Sequence, residues 1–176
     1  MTQDEFLSLA LRNPVNRSIA DELHRLALPD AWIVSGCLVQ SVWNVQTNRP
    51  VDYGISDYDI FYFDPDISWE AKDAVIRKLQ ARVHLWYSEK NGLPYPPLSS
   101  STEGIDRFLT ATTQIGIRRT ADGYDVYAPN GFGDVTGMIV RPNHTANFSA
   151  ANYAKKAARW KALWPEIMVL PADMTQ

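Results

Sequence analysis

The segment AWIVSGCLVQSVWN, residues 31 to 44, passes from an apolar run into a helical pattern with little more than a glycine between them. Residues 31 to 34 read as a short buried strand, and Leu38, Val42 and Val45 then recur at helical spacing. The unit is therefore a strand, a tight turn at Gly36 and a helix. A helix that starts this abruptly presents free backbone N–H groups and the positive end of its dipole, which seats phosphate well. Taken alone, Gly36 is equally well a plain turn glycine.

A polar loop, TNRPVDYGIS, separates this unit from a second strand, DYDIFYF, whose first residues are Asp57, Tyr58 and Asp59. Side chains alternate along a strand, so Asp57 and Asp59 share a face and Tyr58 and Ile60 take the other. Their carboxylates then lie within about 7 Å of each other. Unpaired, they would raise one another's pKa and weaken the strand. A divalent cation reverses that penalty, and hard oxygen ligands suit Mg²⁺, which keeps open positions for phosphate oxygens. The bland alternative is a solvated turn, with Asp57 as a cap and Asp59 paired to an arginine. Glycine turn and aspartate pair in one strand-helix-strand unit favour the metal reading over either feature alone.

At 176 residues the chain is expected to form one domain, residues 1–176, with a proper core. A net charge of −3 argues against a nucleic-acid coat or a membrane-surface protein. Nucleic acid is thus not indicated as a partner by net charge, and any polyanion must meet a local basic patch. Cys37 is the only cysteine, which excludes an intramolecular disulfide and a thiolate-rich metal site. The N-terminus, MTQDEFLSLALRN, does not read as a signal peptide. No apolar run approaches the roughly 18 residues that span a bilayer. The expectation is no membrane partner and a cytoplasmic location.

Helices are expected over about residues 2–28. Thr2 and Glu5 form a capping-box pattern, and Asn13-Pro14 opens a second helix with Val15, Ile19, Leu23 and Leu26 as its stripe, ended by Pro29. Ser68 caps an expected helix through EAKDAVIRKL, and ARVHLWY alternates as a strand. The Pro- and Ser-rich NGLPYPPLSSST reads as a loop and EGIDRFL as a short helix. TQIGIRR and YDVYAP flank a hairpin with Asp122-Gly123 in its turn. A last helix over about 148–164 turns Tyr153, Ala157, Trp160 and Trp164 to the core.

VSGCLVQSVWN, ISDYDIFYFD, QARVHLWY, VYAPNGFGD and VRPN, taken in this order, resemble a bacterial nucleotidyltransferase-like family of the DNA polymerase β superfamily. The resemblance runs from about residue 30 to residue 144. It implies an α+β fold, a nucleotidyltransferase-like mixed sheet flanked by helices, with a C-terminal helix. It further implies that Gly36 and Cys37 bind the nucleotide phosphates and that Asp57 and Asp59 are the catalytic ligands of Mg²⁺. The implied reaction is in-line attack by an acceptor hydroxyl on the α-phosphate of a nucleoside triphosphate, with pyrophosphate leaving; the acceptor is unknown. Three departures stand out. Cys37 replaces the usual serine or glycine, and the 21 residues from Gly36 to Asp57 exceed the superfamily's usual spacing. Thirdly, EAKDAVIRK runs straight into LQARVHLWY, shortened between Lys78 and Leu79, so no residue takes the place of a third carboxylate. An idle nucleotide-binding or interaction module that keeps the fold is the rival expectation.

Other residues carry weaker signals. Arg82 and His84 share a face of ARVHLWY and are possible substrate contacts, though an exposed polar face explains them as well. His24, His84 and His144 have no metal-ligand spacing, and Ser35 lacks a nucleophile-elbow pattern. DPDISWE lacks the glycine and ligand count of a calcium loop. Asp134 is expected to be an N-cap in a structural turn, and Arg141 to neutralise acid. Lys155, Lys156, Arg159 and Lys161 form a basic helix face that is expected to be solvated.

Overall fold

The computed structural model describes residues 1–64 and 98–174. The expected helix from Ser68, the strand ARVHLWY with Arg82 and His84, the DPDISWE loop and the Lys78–Leu79 junction lie outside the described residues.

Two helices open the chain. α1 (Gln3–Ala10) starts with the full capping box: the Thr2 hydroxyl accepts from the Glu5 N–H, and the Glu5 carboxylate accepts from the Thr2 N–H. α2 (Pro14–Leu26) begins at Asn13, whose Oδ1 accepts from the Val15 N–H at 3.0 Å, and ends at Ala27 in the left-handed region. Its buried positions are Asn16, Ala20 and Leu23, while Val15 is exposed. The expected stripe is therefore rotated. Asn16 takes the inner place with its Nδ2 donating to Ala10 O at 2.9 Å and to Ser41 Oγ at 3.1 Å, while its Oδ1 is buried without a partner.

β1 (Trp32–Val34) runs into α3 (Gly36–Gln46), and β2 (Asp59–Phe61) follows. β3 (Gly116–Thr120) and β4 (Gly123–Tyr127) form a hairpin, and the four strands take the order β2-β1-β3-β4, all antiparallel. Thr120 pairs with Gly123, so the hairpin turn is Ala121-Asp122, one residue earlier than expected. β5 (Ile139–Val140) and β6 (Met168–Val169) make a short parallel pair. Among the described residues the remaining α-helices are α4 (Ser101–Ile105), α5 (Gly133–Thr136) and α6 (Ala150–Leu163). The α+β class with flanking helices and a C-terminal helix is as expected, but the sheet, expected to be mixed, is antiparallel among the described residues, with the parallel β5–β6 pair separate from it. Asp134 does not cap α5: Phe132 holds that position, and Asp134 instead pairs with Arg141 through two hydrogen bonds of 2.8 and 2.9 Å.

Strand alternation divides the core. Ile33 and Ile117, paired across β1 and β3, face the large cluster under α1, α2, α3 and α6. Trp32 and Val34 face the other way, against Ile105 and Phe61. α6 buries Tyr153, Ala157 and Trp160, and Trp164 just beyond it, and Trp43 of α3 meets Trp160 and Trp164 edge-on at 5.5 and 5.7 Å. This aromatic contact fixes α6 across α3. No helix among the described residues is long and apolar enough to cross a membrane.

Candidate active site

Because β1 and β2 are antiparallel, the last residue of β1 lies beside the first of β2: Val34 pairs with Asp59. The turn that follows Val34 and the aspartates that precede and open β2 are thereby brought to one end of the sheet. α6 closes the other side. The result is a cleft of about 530 Å³ lined by Ser35, Gly36, Gln40, Asp57, Asp59, Asn152, Lys155, Lys156, Arg159 and Trp160.

The turn is tighter than a glycine alone would make it. Ser35, buried, holds φ 71° and ψ −138°, a conformation strained for any residue with a Cβ, while Gly36 begins the helix. The Ser35 side chain makes no capping hydrogen bond, so the first N–H groups of α3 are left uncapped by it. A Cβ on Gly36 would stand 3.2 Å from Gln40 Nε2, so glycine keeps the floor of the cleft open. Cys37 points elsewhere. Its thiol is buried, donates to Val34 O at 3.4 Å and has its pKa pushed up, by burial first and then by the Asp59 charge.

Asp57 and Asp59 are exposed and both line the cleft, while Tyr58 between them turns inward. Asn13 Nδ2 donates to the Tyr58 hydroxyl at 3.1 Å and to Ser41 Oγ at 3.0 Å, tying the residue between the aspartates to α3. Burial, the main cause, raises the Tyr58 pKa. Among the described residues no group of three or more metal-ligating side chains forms.

The opposite wall comes from one face of α6. Asn152, Lys155, Lys156, Arg159 and Trp160 recur at helical spacing. Lys156 Nζ lies 4.7 Å from the Trp160 ring centre. Burial lowers its pKa to about 8; Asp59 opposes that shift, Arg159 adds to it, and Asp57 opposes it. Lys155 and Arg159 are exposed, as expected of a solvated face, and with half-buried Lys156 they also line the cleft. The fourth residue of the expected face, Lys161, donates to Pro165 O and Ile167 O instead.

The structure thus brings together Gly36, Asp57 and Asp59, with the Cys37 side chain turned away; Arg82 and His84 lie outside the described residues. Ser35, Gln40 and Asn152 were not singled out by the sequence as site residues. Gln40 did leave a signal, since a polar residue four places after Gly36 interrupts an apolar helix.

A family model described as Nucleotidyltransferase matches residues 21–169. One solved structure, titled as an NMR structure that reveals a CCA-adding enzyme head domain, is 21% identical. The match covers 97% of this chain and 96% of that one, with a TM-score of 0.76. No curated protein matches the sequence. The matched span contains the strained turn, the aspartate pair and the basic helix, and the chain belongs to the nucleotidyltransferase family.

Proposed function

We propose that this cleft binds a nucleoside triphosphate with Mg²⁺ on Asp57 and Asp59, and that the protein transfers the nucleoside monophosphate to an acceptor hydroxyl. The observation that carries this reading is the shared cleft: two carboxylates on one wall, the start of α3 at its floor and a cationic helix face opposite. The donor set fits the ion, because two hard carboxylates leave positions for water and phosphate oxygens. Bound there, the ion would link the carboxylates to the polyphosphate and offset charge on the leaving pyrophosphate.

The chain's own groups do the positioning. The uncapped first turn of α3 offers backbone N–H donors to phosphate, and Gly36 leaves room for it. With its thiol turned inward, Cys37 takes part through its backbone alone. Tyr58, held by Asn13, keeps the flanking carboxylates on one side. The reaction forms a bond from the acceptor oxygen to the α-phosphate and breaks the one between the α- and β-phosphates; pyrophosphate leaves with the bonding pair and the hydroxyl proton passes to solvent. In-line geometry and charge stabilisation supply most of the rate.

Asp57→Asn and Asp59→Asn are expected to abolish Mg²⁺-dependent nucleotide binding, read by calorimetry, with the thermal unfolding profile kept. Unchanged binding in both variants would remove the metal role. Incubation with labelled nucleotides, Mg²⁺ and cell extract then separates an enzyme, which transfers label, from an idle module, which binds without turnover.

A further inference from the structure

The two aspartates are held by different means. Asp59 stands on the first rung of the β1–β2 ladder, opposite Val34. Asp57 lies before that rung. Ahead of it the chain is pinned at Val51 and Tyr53, whose carbonyls accept from Asn44, and the Ile55 N–H closes on Asp52 O. Residues 56 to 58 form no backbone hydrogen bond among the described residues. What fixes this stretch is the Tyr58 side chain, which packs on the large core cluster and whose hydroxyl accepts from Asn13 Nδ2 at 3.1 Å.

Asn13 is fully buried and its side chain is fully used. Its Oδ1 caps α2 by accepting from the Val15 N–H at 3.0 Å. Its amide donates to Ser41 Oγ at 3.0 Å and to the Tyr58 hydroxyl. The Ser41 proton is committed to Cys37 O at 2.7 Å, so toward Asn13 its oxygen accepts. Three segments are thereby tied at one buried point: the start of α2, the first turns of α3 and the residue beside Asp57. Breaking any of these bonds strands a buried polar group, so the network favours a single arrangement.

We propose that Asn13, acting through the Tyr58 hydroxyl, is the positioning residue for Asp57, and sets its carboxylate beside that of Asp59 so that one metal ion can meet both. This deepens the nucleotidyl-transfer reading and rests on it. The ladder holds Asp59 without this help, so the network governs the second ligand alone. The N-terminal helices thus serve the site although none of their residues lines the cleft.

The test measures motion and metal separately. Tyr58→Phe keeps the ring and removes the hydroxyl, while Asn13→Ser keeps a capping oxygen and cannot reach Tyr58. In the metal-free protein, NMR relaxation is expected to show the Asp57 amide order parameter falling from about 0.85 toward 0.6 in both variants, with Ile60 and Phe61 unchanged. The Mg²⁺ concentration for half-maximal nucleotide binding should rise about three- to tenfold, the worth of one hydrogen bond. Nucleotide binding in EDTA should not change. The double variant should go no further than the larger single effect. Leu23→Ala, about 15 Å farther along α2, is the control: it should lower Tm and move neither readout. An unmoved order parameter at Asp57 in both variants, an unmoved Mg²⁺ midpoint, or equal shifts in Leu23→Ala would each overturn the assignment. If wild type shows no Mg²⁺-dependent nucleotide binding, the nucleotidyl-transfer reading falls instead, and the order parameters still decide whether Asn13 holds Asp57.

Discussion

Two amide–tryptophan neighbourhoods sit one helical turn apart where α3 faces α6 and the residue that ends it. In the first, Asn44 is fully buried and uses its whole side chain. Its Nδ2 donates to Val51 O at 3.2 Å and Tyr53 O at 2.9 Å, and its Oδ1 accepts from Trp164 Nε1 at 2.9 Å. In the second, four residues earlier on each element, the Gln40 side chain has no hydrogen-bond partner among the described residues and Trp160 Nε1 is buried without one. The same chemistry is closed in one place and open in the other. Asn44 staples the loop before β2 to the core, with Gly54 at φ 69° so close to Trp164 that a Cβ there would meet it at 2.8 Å. Gln40 and Trp160 hold nothing of the kind. The contrast separates a polar group whose bonds hold the fold together from one that lines the cleft and holds no neighbouring segment.

The sharpest way to break this comparison is to replace both amides with apolar residues of similar shape. Asn44→Leu strands three partners, of which Trp164 Nε1 is fully buried, and is expected to cost about 3 kcal/mol in chemical denaturation. Gln40→Met strands none and is expected to stay within about 0.5 kcal/mol of wild type. Equal losses would mean that Gln40 is structural. The tryptophans give a smaller difference. Each loses ring area on changing to phenylalanine, but only Trp164→Phe also breaks a hydrogen bond, so it should be the more destabilising by about 1 kcal/mol.

The smallest effect concerns protons. Lys156 titrates at about 8 in the folded protein against 10.5 for an ordinary lysine. Between those values the unfolded chain binds a proton that the folded one lacks, so this residue's contribution to stability rises with pH from about 8 to 10.5 and is flat below. Allowing for its part exposure, the gain should be no more than about 1 kcal/mol, or roughly 2–4 °C in Tm. Lys156→Gln should flatten that slope in melts recorded across the window. A slope that survives the substitution would assign it to another group.

Local signals were legible in the sequence. The Thr2–Glu5 box, the Asn13-Pro14 start and the inward stripe of α6 all follow from spacing and capping chemistry that act within a few residues. So does the alternation that sends Tyr58 inward and both aspartates to the cleft. What lay beyond reach depends on distant parts of the chain. Lys155, Lys156 and Arg159 read as a solvated face because nothing near them in sequence shows that α6 crosses α3 through Trp43. Ser35, not Gly36, carries the left-handed strain, because tertiary packing overrides the residue preference that made glycine the natural choice. Asn16 displaced Val15 from the core for the same kind of reason: its partners, Ala10 and Ser41, come from two other segments.

The pairing of Val34 with Asp59 has a consequence for the length of chain between the turn and the acidic residues. Ladder bonds, not contour length, decide how far apart these groups stand, so residues added between Thr47 and Ser56 on either side of the Val51–Gly54 anchor bulge outward like slack in a pinned rope. A chain can lengthen or trim that stretch and leave the chemistry where it was. A slip of one rung between the strands would instead turn Asp59 toward the tryptophans and bring Tyr58 to the water.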